Sequence, residues 1–282
     1  MKILLTERHI TEETPISLQN AGLEVFSPKE EIPGVHEFDR SALLATLKNI
    51  QPDILLTGFK FKIDREILDS APIKLVATRT TGLDHIDLNY CKEKGIEIIS
   101  LRGSDLSDIR AVPELCLWAM LELVRKRDGR ELNGKTLGII GMGRIGNLLE
   151  GMLADDYYLG IKTLHYDIKY PHFNLEELLK TSDIVSLHIT SDESNRNFMD
   201  KEKFEMMKDG SYFLNSARGW LVDEPALKWA LESDKLAKAW SDFPVSFKHP
   251  NLLITNHIGG KTLESSIKTE KIIVEKIIQW SK

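Results

Sequence analysis

Three glycines in the middle of the chain have the spacing of a dinucleotide-binding turn. Gly141, Gly143 and Gly146 form the pattern GxGxxG, directly after the apolar run Thr136–Ile140 and at the start of a helical pattern. In such a turn the first glycine permits a tight bend and the second lets the backbone approach a pyrophosphate, while the third lets helix and strand pack closely. The N-terminus of the helix supplies N–H groups and a partial positive charge for the phosphates.

An acid at the end of the next predicted strand is expected to bind the ribose hydroxyl groups of the adenosine. Asp167 follows Gly146 by 21 residues, and the usual separation is about 20. Because its carboxylate would repel a 2′-phosphate, the sequence favours NAD over NADP, although Lys169 weakens that preference. Arg144 and Ile145, which open the helix, belong to the same predicted cofactor site.

Four further polar residues follow successive apolar runs in the same half of the chain: His188, Arg218, Asp242 and His257. Ligands of an open α/β sheet bind beyond the carboxyl ends of its strands, so these side chains are predicted to share one edge with the glycine pattern. An acid, two histidines and an arginine beside a dinucleotide are suited to moving a hydride and a proton.

Short β-rich runs alternate with helical patterns along the whole chain, which predicts parallel sheets covered by helices on both faces. The first strands are expected at Lys2–Leu5 and Glu24–Phe26, and one long helix is expected over Ser107–Arg127. The predicted fold is therefore α/β, with a Rossmann dinucleotide-binding domain around the glycine pattern. The family resemblance given below implies a flavodoxin-like substrate domain beside it.

The predicted division assigns residues 1–100 and 259–282 to the substrate domain and residues 101–258 to the NAD-binding domain. Hinges are expected near Ser100–Asp108 and Gly259–Lys261, with the active site in the cleft between the two domains. Closure of such a cleft excludes water from the path of the hydride.

Composition narrows the class of protein. The 282 residues carry a formal net charge of −6, which argues against a nucleic-acid binder. No apolar stretch approaches the roughly 18 residues of a membrane helix, so a cytoplasmic protein without a membrane partner is expected. The two cysteines, Cys91 and Cys116, are predicted to be buried thiols. No group of His, Cys, Asp or Glu has the spacing of metal ligands, so no metal is predicted.

Several sequence runs of the chain resemble the D-2-hydroxyacid dehydrogenase family. The resemblance rests on five runs that occur in the family's order: RTTGLDHID (Arg79–Asp87), LNGKTLGIIGMGRIG (Leu132–Gly146), SDIVSLHIT (Ser182–Thr190), MKDGSYFLNSARGWLVDEPAL (Met207–Leu227) and NLLITNHIGG (Asn251–Gly260). They spread over most of the chain, whereas the N-terminal 50 residues match only in general pattern.

The resemblance implies a role for each of the main site residues. Arg218 would hold the carboxylate and the carbonyl oxygen of the substrate, because a guanidinium donates in a fork and keeps its charge. His257 would be the general acid for reduction and the general base for oxidation. Backbone N–H groups around Thr81 and Gly82 would hold the other side of the carboxylate.

Three more residues are assigned to the cofactor by the same resemblance. Asp242 matches an aspartate near the nicotinamide carboxamide, His188 is expected to line the cofactor crevice, and Ala217 lies beside Arg218 in the same run. A Ser-His-Asp catalytic triad with Ser216 as nucleophile is not predicted, because the segment lacks the GxSxG elbow.

The implied reaction is the NAD-dependent, reversible reduction of a small 2-oxo acid to a D-2-hydroxy acid, by a homodimer that associates through its NAD-binding domain. The sequence does not specify the side chain of the substrate. Another enzyme on the same fold, such as a formate dehydrogenase-like or hydrolase-like relative, is a rival. Arg218 would also bind formate, but formate dehydrogenases carry extended N-terminal segments that are not expected here.

The chain departs from the family at one position. A glutamate that pairs with the catalytic histidine usually stands about three residues after the aspartate matched by Asp242, and here Val245 occupies it. Three outcomes remain open. Asp242 takes over as partner, activity persists with a lower pH optimum for reduction, or the chain binds dinucleotide and catalyses poorly. The alternative function is therefore a dinucleotide-binding sensor or a catalytically impaired relative.

Overall fold

The chain forms two compact α/β units. The computed structural model describes residues 1–7, 11–28, 38–153, 159–170 and 174–282. One unit comprises Met1–Leu106 with Leu263–Lys282, and the other comprises Ser107–Thr262. The predicted division differs from these bounds by a few residues at each junction. Both units contain a parallel sheet with helices, which confirms the predicted fold class.

Five parallel strands form the sheet of the first unit. They are β1 (Lys2–Leu5), β2 (Glu24–Phe26), β3 (Ile54–Thr57), β4 (Leu75–Thr78) and β5 (Glu97–Ile99). Their order is β2-β1-β3-β4-β5, which is the flavodoxin-like order. Every residue of β3 and β4 is buried, because helices cover both faces of a parallel sheet.

Helices cover this sheet on both sides. They are α1 (Glu13–Asn20), α2 (Arg40–Ile50), α3 (Arg65–Asp69), α4 (Leu88–Lys94) and, from the C-terminus, α10 (Leu263–Ser281). Aspartate side chains cap the starts of α2, α3 and α4 by accepting backbone N–H groups. Ile273 and Ile277 of α10 pack with Ile3 and Leu5 of β1, while Leu4 faces the opposite core.

Six parallel strands form the sheet of the second unit. They are β6 (Thr136–Ile140), β7 (Lys162–Tyr166), β8 (Ile184–Leu187), β9 (Ser211–Asn215), β10 (Leu236–Ser241) and β11 (Leu252–Ile254). Their order is β11-β10-β9-β8-β6-β7, so the direction of strand addition reverses between β6 and β8. Dinucleotides bind at this switch point in doubly wound sheets.

Within the described residues, the sheet of the second unit differs from the usual Rossmann arrangement at the edge formed by β7. In that arrangement a further strand lies outside the second one, whereas among the described residues β7 pairs with β6 alone. The next described helix after Asp167 starts at Leu175. Two apolar cores, one on each face, still enclose the central strands.

Helices alternate with most strands of this unit. They are α5 (Ala111–Met120), α6 (Arg144–Leu153), α7 (Leu175–Thr181), α8 (Lys201–Met206) and α9 (Glu224–Glu232). The long helix predicted over Ser107–Arg127 is present from Ala111, where α5 begins, and it continues as a π-helix over Leu121–Arg127. Pro113 suits the first turn, and the spacing of apolar residues does not distinguish i→i+4 from i→i+5 hydrogen bonding.

The two cysteines are free and buried, as predicted. Burial raises the pKa of the Cys91 thiol to about 11 and that of Cys116 to about 12, so both thiols are protonated at neutral pH. Among the described helices, none combines the length and the apolar composition that crossing a membrane requires. A cytoplasmic location stays a prediction.

Candidate active site

The glycine pattern forms a tight turn at the carboxyl end of β6. Gly141 has φ +99°, and a Cβ built there would lie 2.7 Å from the backbone carbonyl carbon of His188. A Cβ on Gly146 would lie 2.2 Å from the carbonyl oxygen of Gly141, so helix α6 and strand β6 pack without room for a side chain. At Gly143 the same construction meets no described atom within 4 Å, which leaves open space beside the backbone.

Asp167 lies beside this turn, at the carboxyl end of β7. Its carboxylate accepts a hydrogen bond from the backbone N–H of Met142 at 2.8 Å and another from that of Lys169 at 2.9 Å. The residue is half-buried, so part of it faces solvent. Arg144, at the first position of α6, is exposed and donates to the carbonyl oxygen of Ile109 at 3.1 Å.

His188 links the ends of two neighbouring strands. Its Nε2 lies 2.8 Å from the hydroxyl of Ser186 and its Nδ1 lies 2.8 Å from the hydroxyl of Ser216. Burial of the ring lowers its pKa to about 4, so the imidazole is neutral at pH 7. The contact between its backbone and the Gly141 turn places His188 at the switch point, as a neutral structural link rather than a proton donor.

Arg218 is held by the backbone that follows β9. The side chain of Asn215, which is 2% exposed, accepts from the N–H of Ala217 at 3.0 Å and donates to the carbonyl oxygen of Arg218 at 2.8 Å. The guanidinium donates to the carbonyl oxygen of Ala217 at 2.8 Å. Arg218 is half-buried, so this carboxyl edge presents a cation on a fixed loop.

Asp242 holds the loop that carries His257. Its buried carboxylate accepts from the hydroxyl of Thr255 at 2.7 Å and from the N–H groups of Ile258 and Gly259, each at 2.8 Å. Its carbonyl oxygen accepts the N–H of His257. Asn256 and His257 both have left-handed backbone, with φ +51° and +59°. Asp242 therefore fixes an unusual backbone conformation, and none of these donors is the imidazole ring.

One aromatic ring contacts both candidate catalytic residues. The guanidinium carbon of Arg218 lies over the ring of Phe243, 5.5 Å from its centre. The imidazole of His257 lies 4.6 Å from the same ring centre, with the two planes tilted by 42°. The second unit therefore brings Arg218 and His257 together, although 39 positions separate them in the sequence.

Thr81 and Gly82 lie in the first unit, in the loop after β4. The carbonyl oxygen of Thr81 accepts from Nε of Arg102 at 3.0 Å, and that of Gly82 accepts from the hydroxyl of Thr80 at 2.6 Å. These bonds fix the loop by its carbonyl groups. Thr81 is exposed and Gly82 is buried.

Comparison with known proteins decides the family. Residues 117–259 match the model of the D-isomer specific 2-hydroxyacid dehydrogenase NAD binding domain. Hydroxypyruvate reductase of Thermotoga maritima is 30% identical over 300 aligned residues, which cover 93% of this chain and 95% of that protein. The chain belongs to the D-isomer-specific 2-hydroxyacid dehydrogenase family. It is accordingly an NAD-dependent oxidoreductase, as the sequence predicts.

Further relatives agree with that assignment. D-3-phosphoglycerate dehydrogenase of Escherichia coli K12 is 35% identical over 288 residues, which cover 87% of this chain and 68% of that protein. The NAD⁺-bound 3-phosphoglycerate dehydrogenase of Entamoeba histolytica shares the fold, with a TM-score of 0.83, 24% identity and coverage of 99% and 95%.

The residues of the second unit fit the NAD of the family. The open space beside Gly143 leaves room for a pyrophosphate against the backbone, and the following N-terminus of α6 supplies N–H groups. Asp167 stands at the carboxyl end of β7, and its binding of the ribose hydroxyl groups stays a prediction. Direct contacts of Ile145, His188, Ala217 and Asp242 with NAD stay predictions.

Two residues of this dehydrogenase site were missed by sequence reasoning. Asn215 fixes the Arg218 loop, and Phe243 contacts both Arg218 and His257. The signal for Asn215 was its position as the last residue of a buried strand, where a polar side chain needs a partner. Phe243 had a weaker signal, an aromatic residue directly between Asp242 and Pro244. Among the described residues no group of three possible metal ligands occurs, and metal-free chemistry stays a prediction.

Proposed function

We propose that this family member reduces a small 2-oxo acid to the D-2-hydroxy acid, reversibly, with Arg218 and His257 as its catalytic residues. The observation that carries the proposal is the shared contact of the two side chains with the ring of Phe243. A permanent cation and an imidazole then border one space beyond the carboxyl ends of β9, β10 and β11.

Each residue has one task in the proposed reaction. The Arg218 guanidinium binds the carboxylate and the carbonyl oxygen of the substrate, which polarises the carbonyl group. The imidazolium of His257 donates a proton to that oxygen during reduction, and the neutral imidazole accepts it back during oxidation. NADH, when bound, supplies the hydride. We assign the N–H groups of Thr81 and Gly82 to the other side of the carboxylate.

A second candidate function follows from Val245. This apolar residue stands where the family has a glutamate, and the carboxylate of Asp242 is bonded to Thr255, Ile258 and Gly259. Because valine replaces the family's glutamate at this position, a dinucleotide-binding sensor is the second candidate. We favour the enzyme, because the anchored His257 loop and the fixed Arg218 loop are both retained.

One screen separates the two functions. NADH oxidation is measured with pyruvate, hydroxypyruvate, glyoxylate, phenylpyruvate, 2-oxoisocaproate and phosphohydroxypyruvate, and the product is resolved on a chiral column. We expect turnover of at least one acid to the D-isomer, with kcat/KM lowered about 10²- to 10⁴-fold in His257→Asn. Arg218→Lys should raise KM as well, because a lysine does not donate in a fork.

The control in this screen is NADH affinity, measured by fluorescence. Both variants should bind NADH like the wild type, since neither residue belongs to the glycine turn. NADH binding without turnover of any acid would favour the sensor, and an L-product would contradict the stereochemical assignment.

We also propose a homodimer that forms through the NAD-binding unit. Trp118 of α5 and Leu121 of the adjoining π-helix are each 41% exposed and stand three positions apart, so they occupy one face. Large exposed apolar side chains in a cluster mark association surfaces. Light scattering should give the mass of a dimer for the wild type and of a monomer for Trp118→Glu, and a monomeric wild type would contradict the proposal.

A further inference from the structure

We propose that Phe243 is the positioning residue of this active site, and that its ring sets the orientation of Arg218 relative to His257. The inference rests on the proposed function, because it concerns the geometry of the two catalytic groups. Phe243 itself carries no exchangeable proton and no charge, so it acts only through the side chains that it contacts.

The first observation is the pair of ring contacts. A guanidinium over an aromatic face is attracted by the negative potential of that face, and the Arg218 carbon lies 5.5 Å from the ring centre. The imidazole of His257 lies 4.6 Å from the same centre in a tilted arrangement, which is within the range of favourable aromatic pairs. One ring thus restricts the rotamers of two residues from different loops.

The second observation is that the ring is itself immobilised. Phe243 is 8% exposed. The hydroxyl of Ser241 accepts the N–H of Phe243 at 3.1 Å and donates to its carbonyl oxygen at 2.9 Å. The N–H of Asp242 donates to the carbonyl oxygen of Asn215 at 2.9 Å. The segment that carries the ring is therefore fixed to the end of its own strand, β10, and to the end of the neighbouring strand β9.

The third observation concerns Gly219, which directly follows Arg218. A Cβ built on Gly219 would lie 3.3 Å from the Cβ of Phe243, a distance at which the phenylalanine would have to move. The absence of a side chain at position 219 therefore lets the Phe243 segment approach the Arg218 loop closely. The two loops fit each other at this point through one glycine and one aromatic ring.

These contacts suggest how the site compensates for Val245. A glutamate at that position would orient the imidazole through a charged hydrogen bond, whereas Phe243 orients it through contact with a rigid ring. Orientation of the imidazole by ring contact requires an aromatic side chain of the right shape at position 243. It does not require the negative charge of a glutamate at position 245. The tests therefore exchange shape and aromaticity at position 243 and leave the charges of the site unchanged.

Three variants test the proposal in the full-length protein. Phe243→Leu removes the ring, Phe243→Tyr keeps it, and Phe247→Leu makes the matched change at a phenylalanine that packs on the core. For each we measure kcat, the KM of the 2-oxo acid, the Kd of NADH and the thermal midpoint. The kinetic isotope effect with NADH deuterated at the transferred position reports on the chemical step.

We expect kcat to fall about 10- to 100-fold in Phe243→Leu, the loss that misplacement of a catalytic group causes. The KM of the 2-oxo acid and the isotope effect should both rise, because Arg218 and the chemical step are affected together. The Kd of NADH should stay unchanged. Phe243→Tyr should restore kcat, and Phe247→Leu should leave kcat, KM, the Kd of NADH and the isotope effect unchanged.

Two results would overturn the inference. One is wild-type kcat and isotope effect in Phe243→Leu, and the other is an equal loss in Phe243→Leu and Phe243→Tyr. If Phe243→Leu does not fold, Phe243→Met replaces it with the same expectations. Failure of the proposed function is distinct, because the wild type would then turn over no 2-oxo acid, and both proposals would fall together.

Discussion

The backbone nitrogen of Gly259 lies 2.8 Å from Oδ2 of Asp242, and a Cβ built on Gly259 would lie 2.8 Å from the same oxygen. Position 259 therefore requires glycine, because a side chain there would keep the Asp242 carboxylate from accepting the backbone N–H. Their contact fixes the loop that carries His257, which is one of the two proposed catalytic residues.

The first prediction concerns that contact. Gly259→Ala should lower the free energy of unfolding by about 1–3 kcal/mol, the usual cost of overpacking, and should lower kcat by displacing the His257 loop. Gly260→Ala is the control, since a Cβ there meets no described atom within 4 Å. Urea unfolding and steady-state kinetics measure both effects, and equal behaviour of the two variants would contradict the prediction.

A second prediction separates cofactor binding from folding. Gly143→Ala adds a methyl group to the open space that the pyrophosphate of NADH would occupy. The Kd of NADH should therefore rise about tenfold or more, which is equivalent to about 1.4 kcal/mol. The thermal midpoint should not fall. Gly151→Ala adds the same group in α6, also without a described atom within 4 Å, and should leave the Kd unchanged. Calorimetric titration with NADH would refute the prediction if both variants bound alike.

The third prediction tests the role of Asp167 in cofactor choice. Asp167→Ser should lower the preference for NADH over NADPH about tenfold or more, because the carboxylate no longer repels a 2′-phosphate. Asp209→Asn is the control. Asp209 precedes β9, at the amino edge of the sheet, and its side chain is 89% exposed. The ratio of kcat/KM for the two cofactors is the measurement, and an unchanged ratio in Asp167→Ser would refute the role.

The fourth prediction is a pH dependence of stability that arises from His188. Its pKa is about 4 in the folded protein, against about 6.5 when unfolded. Between these values only the unfolded chain binds the proton, so folded stability falls as the pH drops from about 6.5 to about 4. The loss amounts to about 2–3 kcal/mol, reduced by the partial exposure of the ring.

His188→Asn should remove this contribution, so the stability advantage of the wild type should shrink as the pH falls through the same interval. Tryptophan fluorescence during urea unfolding is a suitable probe, because four of the five tryptophans lie in the second unit. A constant difference between wild type and variant from pH 6.5 to 4 would disprove the assignment.

Much of this architecture could be predicted from the sequence. Buried parallel strands are nearly continuous apolar runs, and Gly141 and Asp223 mark a turn and a helix start by their residue type. The polar residues at strand ends followed from topology alone, because parallel strands present their carboxyl ends at one edge. The placement of Arg218 and His257 in the second unit needed no further information.

The remainder depended on loop conformation, which residue types do not specify. The cofactor contact of Asp242 stays a prediction, whereas its bonds to the backbone of the His257 loop are an additional feature of the structure. These bonds accompany left-handed residues, which no sequence spacing reveals. The contact of Phe243 with Arg218 joins two loops across a gap in the sequence. The π-helix after Met120 is a choice between backbone hydrogen-bond patterns that share the same apolar spacing.

The consecutive left-handed residues Asn256 and His257 have a consequence for the evolution of this chain. Non-glycine residues in that conformation each cost roughly 1–2 kcal/mol, so a glycine at position 257 would suit the backbone better than the histidine does. Selection for thermal stability alone would therefore favour glycine over histidine at this position. Retention of His257 is therefore expected only where selection for catalytic turnover outweighs this loss of stability. Ancestral variants with glycine at this position should be more stable and slower.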